Sequence, residues 1–221
     1  MQIRPKRADF AMMKKMKKRI LLFDFDGTIA DTVFEVLAIY NRIAVEGGLR
    51  PISAKEFDAM RRMSASEVPK FLNVSILKLP FIVKRVREEL KSRIADARPV
   101  HGVPESVKTL KKQGNTLYIV STNSVTNIKI FLSKNNMNEF DGVFSVSDIF
   151  GKHRKILQLI KAHRWELSSI LYIGDEARDI EAAKKAGIGS VAVTWGFNSE
   201  ALLAEHRPDR LIREPTELRL L

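Results

Sequence analysis

Short apolar runs alternate along most of this chain with longer segments whose apolar residues recur at helical spacing. The first run, residues 20–23, contains only Ile, Leu and Phe, which is typical of a strand buried on both faces of a parallel sheet. Further strands are predicted at residues 116–120, 141–146, 170–173 and 189–194, with helices at 104–113, 126–136, 152–163 and 177–186. This alternation predicts an α/β fold with a doubly wound, mostly parallel, Rossmann-like sheet.

The block that separates the first strand from the others is predicted to be all-helical. Helical spacing is found in residues 32–47, 54–63 and 81–95, and Ser64 with Glu67 matches a capping box for a short helix running towards residues 71–72. Residues 99–104, bounded by prolines, are interpreted as the linker back to the sheet. We therefore expect a basic extension at residues 1–19, an α/β core formed by 20–32 and 98–221, and a helical cap at 33–97.

Charge is distributed unevenly along the 221 residues, whose formal net charge is +12. Residues 1–19 hold eight basic residues against one acid, and we expect this extension to be flexible. Binding to nucleic acid or to an anionic membrane is an alternative for it, and a natural start at Met12, Met13 or Met16 is another. The chain has no cysteine and no apolar run of membrane-spanning length. These features fit a cytoplasmic protein.

Two carboxylates, Asp24 and Asp26, follow the first predicted strand at positions i and i+2. In a regular strand this spacing places both side chains on one face. Acids held so close repel each other unless a cation or a shared proton intervenes, so a divalent-metal site with one nucleophilic carboxylate is favoured. Gly27 and Thr28 then turn the chain and are expected to present backbone N–H groups to a phosphate. A simple polar turn is the alternative.

Polar side chains recur where later predicted strands end. Ser121 and Asn123 follow the strand at 116–120, where they could cap a helix or bind a phosphate. Asp175 and Asp179 follow the strand at 170–173, and Lys152 opens the helix before it. Helix-dipole charges and a solvated surface lysine are the alternatives for these three. Because open α/β sheets bind ligands beyond the carboxyl ends of their strands, the recurrence favours one shared site.

With these motifs the chain resembles the haloacid dehalogenase-like hydrolase superfamily, specifically its phosphoglycolate-phosphatase-like branch with a helical cap. The motifs are Asp24-Phe-Asp-Gly-Thr28, the strand ending in Ser121, Lys152, and Gly174-Asp-Glu-Ala-Arg-Asp179. The segments 191–198, 208–209 and 215–218 also resemble that branch. Two departures leave alternatives open: Thr122 competes with Ser121 for the hydroxyl role, and Lys155 is a substitute for Lys152, which lacks a following proline.

The resemblance implies a Mg²⁺-dependent phosphomonoester hydrolase that works through an aspartyl-phosphate. Asp24 would be the nucleophile and Asp26 the general acid and base, with Ser121 and Lys152 assisting. Mg²⁺ would be held by Asp24, the Asp26 carbonyl, Asp175 and Asp179. The phosphate would be bound by Gly27, Thr28, Ser121, Thr122, Asn123 and Lys152.

The implied substrate is a small anionic metabolite, such as phosphoglycolate or a sugar phosphate, chosen by the cap. Basic cap residues that could reach a second anionic group are Arg61, Arg62, Lys84, Arg85 and Arg87. We expect a monomer or homodimer, with neither nucleic acid nor membrane as partner. A phosphomutase of the same fold and a non-enzymatic phosphoacceptor signalling domain are the alternatives. A dehalogenase is disfavoured, since it has no use for the acid at Asp26.

Overall fold

The first apolar run lies near the middle of a six-stranded sheet. The computed structural model describes residues 18–75, 77–94, 96–146 and 151–221, without the side chain of Ser92. Its strands are β1 (Ile20–Phe23), β2 (Thr116–Ser121), β3 (Gly142–Ser145), β4 (Ile170–Gly174), β5 (Gly189–Val193) and β6 (Arg210–Ile212). They lie in the order β3-β2-β1-β4-β5-β6, and every neighbouring pair is parallel. The predicted parallel α/β fold is confirmed.

Helices connect the strands in the alternation that the sequence predicts. The α-helices of the described residues are α1 (Val33–Glu46), α2 (Ala54–Met60), α3 (Val68–Phe71), α4 (Leu79–Arg93), α5 (Val103–Lys112), α6 (Val125–Lys134), α7 (Lys152–His163), α8 (Ala177–Ala186) and α9 (Glu200–Glu205). No helix in the described part of the chain has the length and hydropathy needed to cross a membrane.

The central strand β1 is apolar throughout because helices cover both faces of the sheet. Leu21 and Phe23 point to one face, where they pack with side chains of α5 and α6. Leu22 points to the opposite face and packs with side chains of α7 and α8. Alternate residues of a strand face opposite sides, so a strand between two helical layers needs an apolar residue at every position.

Helices α1 to α4 (residues 33–93), here called the cap, lie between β1 and the return of the chain to the sheet. They share an apolar cluster of their own, which includes Tyr40, Phe57 and Ile82. The chain leaves and re-enters the core side by side: Asp31 N–H donates to the Arg98 carbonyl at 2.9 Å. This pairing fixes the base of the cap against the sheet.

Two cap helices are shorter than the sequence predicts. The helix predicted at residues 54–63 ends at Met60, and the one predicted to run towards residue 72 is the single turn α3. Ser64 and Glu67 do hydrogen-bond, since Ser64 N–H and Oγ donate to the Glu67 carboxylate at 2.7 and 2.6 Å. They form a turn that precedes α3, however, instead of the first turn of a longer helix.

Beyond residue 194 the chain forms elements that the sequence analysis did not predict. These are α9, β6 and a 3₁₀-helix, Pro215–Leu220. Strand β6 has three residues, one of them the exposed Arg210, which is too short for an apolar pattern to stand out. It is positioned by Asp209, whose Oδ2 accepts hydrogen bonds from the N–H and Oγ of Ser190, both at 2.8 Å.

Most of the predicted basic extension, residues 1–17, lies outside the described residues. Arg19 belongs to the hydrogen-bonded sheet. Its N–H donates to Asn115 Oδ1 and its carbonyl accepts from Thr116 N–H, both at 2.9 Å. The hydrogen-bonded fold therefore includes one residue that the sequence analysis assigned to the extension.

Candidate active site

The carboxyl ends of three adjacent strands bring the predicted acids and hydroxyl to one edge of the sheet. Strand β1 lies between β2 and β4, so Asp24 follows β1 between Ser121, which ends β2, and Asp175, which follows β4. The Asp24 N–H donates to the carbonyl of Ile173 in β4 at 2.8 Å, which continues the sheet pairing up to the acid. Sheet topology therefore positions these three residues.

Asp24, Asp175 and Asp179 form a buried carboxylate cluster. Each offers one oxygen, and these three oxygens lie within 4.8 Å of one another. Lys152, at the start of α7, reaches into the cluster, with its Nζ 2.7 Å from Asp24 Oδ2 and 2.5 Å from Asp179 Oδ1. The structure thus brings together three acids and one lysine that lie far apart in the sequence.

Lys155, the alternative lysine, lies outside this cluster. Its Nζ contacts Gln158 Oε1 at 3.4 Å and sits 5.7 Å from the centroid of the Phe144 ring. Lys152 is the lysine that the fold directs to the carboxylates, because the first residue of α7 faces the sheet edge.

Burial makes the negative charges of the cluster costly. Desolvation, together with the charges of Glu176, Asp24 and Asp179, raises the pKa of Asp175 well above its ordinary value. Desolvation also raises the pKa of Asp179 to about 7, against the opposing effect of Lys152. Burial alone would lower the pKa of Lys152, but its two acidic partners outweigh this and raise that pKa. One lysine does not balance three buried carboxylates, so the electrostatics favour a second cation.

The donor atoms also fit a metal ion. Asp24 Oδ1 is buried and has no hydrogen-bond partner among the described residues, although buried polar atoms normally have one. Gly27 and Gly196 pack directly against Asp175, since an added Cβ would lie only 2.4 and 2.1 Å, respectively, from its Oδ2, so the absence of side chains at both positions allows the carboxylate to lie in the cluster. A set of carboxylate oxygens in a compact site suits a hard divalent cation such as Mg²⁺.

Asp26 faces the cap, apart from the cluster. Its carboxylate accepts hydrogen bonds from Thr32 Oγ1 at 3.0 Å and from Asn123 Nδ2 at 3.0 and 3.3 Å. Burial, aided by the charge of Asp24, raises its pKa to about 6, while these hydrogen bonds and Lys152 act in the opposite direction. A carboxyl group with this pKa can give and take a proton near neutral pH.

Gly27 and Thr28 do not present free backbone N–H groups, contrary to the prediction. Gly27 N–H donates to the Ala30 carbonyl at 2.9 Å and Thr28 N–H to the Phe25 carbonyl at 3.3 Å, so both close the turn. The Thr28 hydroxyl donates to Asp175 Oδ1 at 2.6 Å. The two residues therefore hold the turn and one acid in place.

Other backbone N–H groups are available at the same edge. Among the described residues, no acceptor is found for the N–H of Phe25, Asp26 or Thr122. Phe25 is fully buried, and a buried N–H without an acceptor is uncommon in a native protein. These three amides are better placed to meet an anion than those of Gly27 and Thr28.

The three polar residues at the end of β2, Ser121, Thr122 and Asn123, make different contacts. Ser121 is buried, and its Oγ accepts the Asn123 N–H at 3.2 Å. Thr122 is half-buried and borders a cavity between the sheet and the cap. The side-chain Nδ2 of Asn123 donates to the Asp26 carboxylate. Asn123 Oδ1 accepts a hydrogen bond from Asn127 Nδ2 at 3.0 Å. Asn123 thus orients Asp26, and its predicted contact with phosphate stays a prediction.

The loop after β5 supplies site residues that sequence reasoning missed. Phe197 N–H donates to Asp175 Oδ2 at 2.7 Å, and Trp195 Nε1 donates to the Thr28 carbonyl at 3.2 Å. Asn198 Oδ1 accepts the N–H of Ala177, at the start of α8, at 2.8 Å. The only indication in the sequence was the segment Trp-Gly-Phe-Asn at residues 195–198. Residue spacing alone does not predict that this segment contacts Asp175.

The basic cap residues differ in what they contact. Arg61 donates to the carbonyls of Phe197 and Gly196, both at 3.2 Å, and so links α2 to the loop after β5. Lys84 and Arg85 form surface ion pairs with glutamates of the cap. Arg87 borders the cavity that reaches Asp26, a position that Arg61, Arg62, Lys84 and Arg85 do not share.

Comparison with known proteins places this architecture in one family. The family model described as haloacid dehalogenase-like hydrolase matches residues 21–193. A phosphoglycolate phosphatase from Synechococcus elongatus is 33% identical over 199 residues, covering 90% of this chain and 94% of that protein. These matches confirm the resemblance that the four motifs predicted.

Two further relatives extend the comparison. An N-acetylmuramic acid 6-phosphate phosphatase from Pseudomonas aeruginosa is 27% identical, with 93% of this chain and 95% of that protein covered. The solved structure of a haloacid dehalogenase-like hydrolase from Streptococcus pneumoniae superimposes with a TM-score of 0.74 at 22% identity, covering 91% of this chain and 96% of that one. The structural likeness supports the fold.

Proposed function

This chain belongs to the haloacid dehalogenase-like hydrolase family and is a phosphatase, and we propose that it is a Mg²⁺-dependent phosphomonoester hydrolase acting through an aspartyl-phosphate. The proposed substrate is a small phosphorylated, and hence anionic, metabolite. Relatives named for phosphoglycolate and for an amino-sugar phosphate support this class.

One observation carries the proposal: Asp26 is a half-buried carboxyl group two residues after the buried Asp24, it borders the cavity between the sheet and the cap, and desolvation raises its pKa to about 6. Alkoxide leaving groups need a proton when the ester bond breaks, and a carboxyl group of this pKa can supply it. Displacement of a halide would need no such acid. The hydrogen bonds from Thr32 and Asn123 keep Asp26 oriented for this transfer.

In the proposed first step a carboxylate oxygen of Asp24 attacks phosphorus and the ester P–O bond breaks. Asp26 gives its proton to the departing alkoxide, which leaves as the alcohol. In the second step Asp26 takes a proton from water, whose oxygen attacks the aspartyl-phosphate and releases inorganic phosphate. Asp24 is regenerated as a carboxylate, and Asp26 is again protonated.

Binding of the phosphoryl group is assigned to residues around Asp24. Lys152, whose Nζ lies 2.7 Å from Asp24, would stabilise the equatorial oxygens where negative charge develops. Ser121 Oγ is proposed to donate to one of them. The amides of Phe25 and Thr122, which have no acceptor among the described residues, would complete the contacts.

Mg²⁺ would be held by Asp24, Asp175 and Asp179 together with the carbonyl of Asp26. When bound, it would neutralise part of the charge on the phosphate and on Asp24, which otherwise repel each other. Asp175 is kept in position by Thr28 and by the N–H of Phe197, and Asp179 by Lys152. These contacts fix two of the carboxylates before any ion binds.

The test is phosphate release from a panel of small phosphomonoesters, with and without Mg²⁺, by the wild type and by Asp24→Asn. We expect release that requires Mg²⁺ and falls by about 10⁴-fold or more in the variant. Asp31→Asn is the matched control, because Asp31 is an exposed acid in the same turn.

Two results would contradict the proposal. Release that persists in Asp24→Asn would exclude this carboxylate as the nucleophile. No release from any ester, accompanied by stable phosphorylation at Asp24, would favour the phosphomutase or the phosphoacceptor signalling domain. Phosphorylation that turns over when a sugar phosphate is added would separate the mutase from the signalling domain.

A further inference from the structure

A cavity of about 310 Å³ extends from the catalytic edge of the sheet into the cap. At the sheet edge it is bordered by Asp26, Thr122 and Asn123. Deeper in, its walls are aliphatic and aromatic side chains contributed by α1, α2, α3 and α4. The cavity therefore has one polar end, at the proposed catalytic residues, and an apolar body inside the cap.

The walls of the apolar body are side chains that a tightly packed cap would bury against each other. Leu37 of α1 and Val83 and Val86 of α4 border the cavity and are half-buried. The Tyr40 ring also borders it, while the Tyr40 hydroxyl donates to the Arg50 carbonyl at 3.2 Å. Protein interiors normally close such gaps, so an open apolar space next to a catalytic centre indicates a binding pocket.

The charged groups gather at the polar end. Arg178 is ion-paired with Glu176, and both border the cavity where α8 begins. Arg87 of α4 borders the same end, and its guanidinium group makes no hydrogen bond or ion pair with another residue in the described part of the chain. A cation beside Asp26 favours the anionic end of a ligand there and leaves the apolar body for the rest of the ligand.

The size of the cavity sets a scale for its occupant. An apolar protein cavity of roughly 150 Å³ holds one benzene molecule, so this one has room for roughly twice that volume. Resting on the proposed function, we infer that the substrate is a phosphomonoester whose alcohol carries an apolar group, and that this group occupies the cap cavity while the phosphate lies against Asp24.

Phosphoglycolate itself matches this cavity poorly. Its organic part is one methylene and a carboxylate, which would leave most of the apolar space unfilled. A carboxylate directed into the aliphatic body would lose its hydration without gaining a partner. An ester with an apolar group avoids both costs and gains from burying that group.

The direct test is a series of alkyl phosphates, from methyl to hexyl, compared with phosphoglycolate and glucose 6-phosphate. Burial of each added methylene should raise kcat/KM about two- to fourfold until the cavity is full. Hexyl phosphate should therefore exceed methyl phosphate and phosphoglycolate. A flat series, or a clear preference for phosphoglycolate, would overturn the inference while leaving the phosphatase proposal intact.

A substitution that partly fills the cavity tests the same assignment. Val83→Phe adds a ring to the cavity wall, and we expect the ratio of hexyl to methyl phosphate hydrolysis to fall at least about tenfold. Val45→Phe is the control, since Val45 is a cap residue with 70% of its surface exposed. An unchanged ratio in Val83→Phe would contradict the assignment of the cavity.

Binding of alkylphosphonates keeps the inference testable if no ester is hydrolysed or if Val83→Phe fails to fold. By calorimetry with the wild-type protein and Mg²⁺, hexylphosphonate should bind more tightly than methylphosphonate, by about the same factor per methylene. Chain-length-dependent binding without phosphate release would support the cavity and reject the proposed function. Equal affinity for both phosphonates would reject the cavity, whatever the esters show.

Discussion

The two sides of the proposed active site are built in opposite ways. The sheet side is polar, fully buried and densely bonded: Lys152 alone contacts two carboxylates at 2.7 and 2.5 Å. The cap side is apolar and open, with half-buried aliphatic side chains around about 310 Å³ of space. Chemistry requires charges held at fixed positions, whereas selection of an organic group requires shape and apolar surface.

The difference explains why one fold can serve many substrates. Each sheet-side residue has several partners, so a substitution there disturbs a connected network. The half-buried residues on the cap side, such as Leu37 and Val83, border empty space, so their size can change with less effect on their neighbours. We expect substitutions on the sheet side to abolish turnover and those on the cap side to redirect it.

After Asp24→Asn, the largest effect is expected for Asp26→Asn, where the two sides meet. An amide cannot protonate an alkoxide, so hydrolysis of alkyl phosphates should fall by about 10²- to 10⁴-fold. Hydrolysis of p-nitrophenyl phosphate should fall much less, because nitrophenolate leaves without a proton. The ratio of the two rates is the measurement, and an equal loss for both esters would reject Asp26 as the general acid.

Paired leucine substitutions compare packing on the two sides. Leu110 of α5 has none of its surface exposed, so Leu110→Ala should lower the free energy of unfolding by about 3 kcal/mol. Leu37→Ala should cost only about 1 kcal/mol, because Leu37 already borders the cavity. Urea unfolding measures both, and equal losses would mean that the cap is packed as tightly as the core.

Removal of one metal ligand tests the sheet side without relying on activity. Asp175→Asn should need about ten- to a hundredfold more Mg²⁺ than the wild type for the same increase in melting temperature. Glu181→Gln, on the outer surface of α8, is the control with the same loss of charge. Equal Mg²⁺ responses of Asp175→Asn and the wild type would exclude Asp175 as a ligand.

The smallest effect is expected at Asp209, far from both sides. Hydrogen bonds from the N–H and Oγ of Ser190 lower the pKa of Asp209. Because the folded pKa is depressed, the stabilisation is present above the unfolded value of about 3.9 and is lost as the pH falls through the folded value. Asp209→Asn should cost about 1 kcal/mol at pH 7, and less as the medium is acidified. A difference that grows in acid would contradict this assignment.

The sequence predicted the sheet side well because local rules apply there. An apolar run followed by Asp24 marks a buried strand with a polar end, and the same arrangement recurs before Asp175. Parallel strands bring such ends to one edge, so the cluster of acids follows from alternation alone. The expectation that Gly27 and Thr28 present free N–H groups was wrong, because a local pattern does not show that these amides close the turn.

The contacts across the site had no such local signal. Phe197 reaches Asp175 only because the loop after β5 folds back over β4, and Asn123 is occupied by Asp26 from another strand. The sixth strand was missed because three residues carry too little pattern to be recognised. Among the basic cap residues, spacing could not distinguish Arg87, at the cavity, from Arg61, which is bonded to the loop after β5.

The sequence by itself determined the α/β alternation, the helical segment between the first two strands, and the identity of the acids and the lysine. Each depends on neighbours within a few residues, through strand and helix periodicity and the placement of polar residues at strand ends. The tertiary structure alone decided which amides are free, that Lys152 rather than Lys155 meets the carboxylates, and that the cap encloses an apolar cavity. These features depend on packing between distant segments, which no local pattern records.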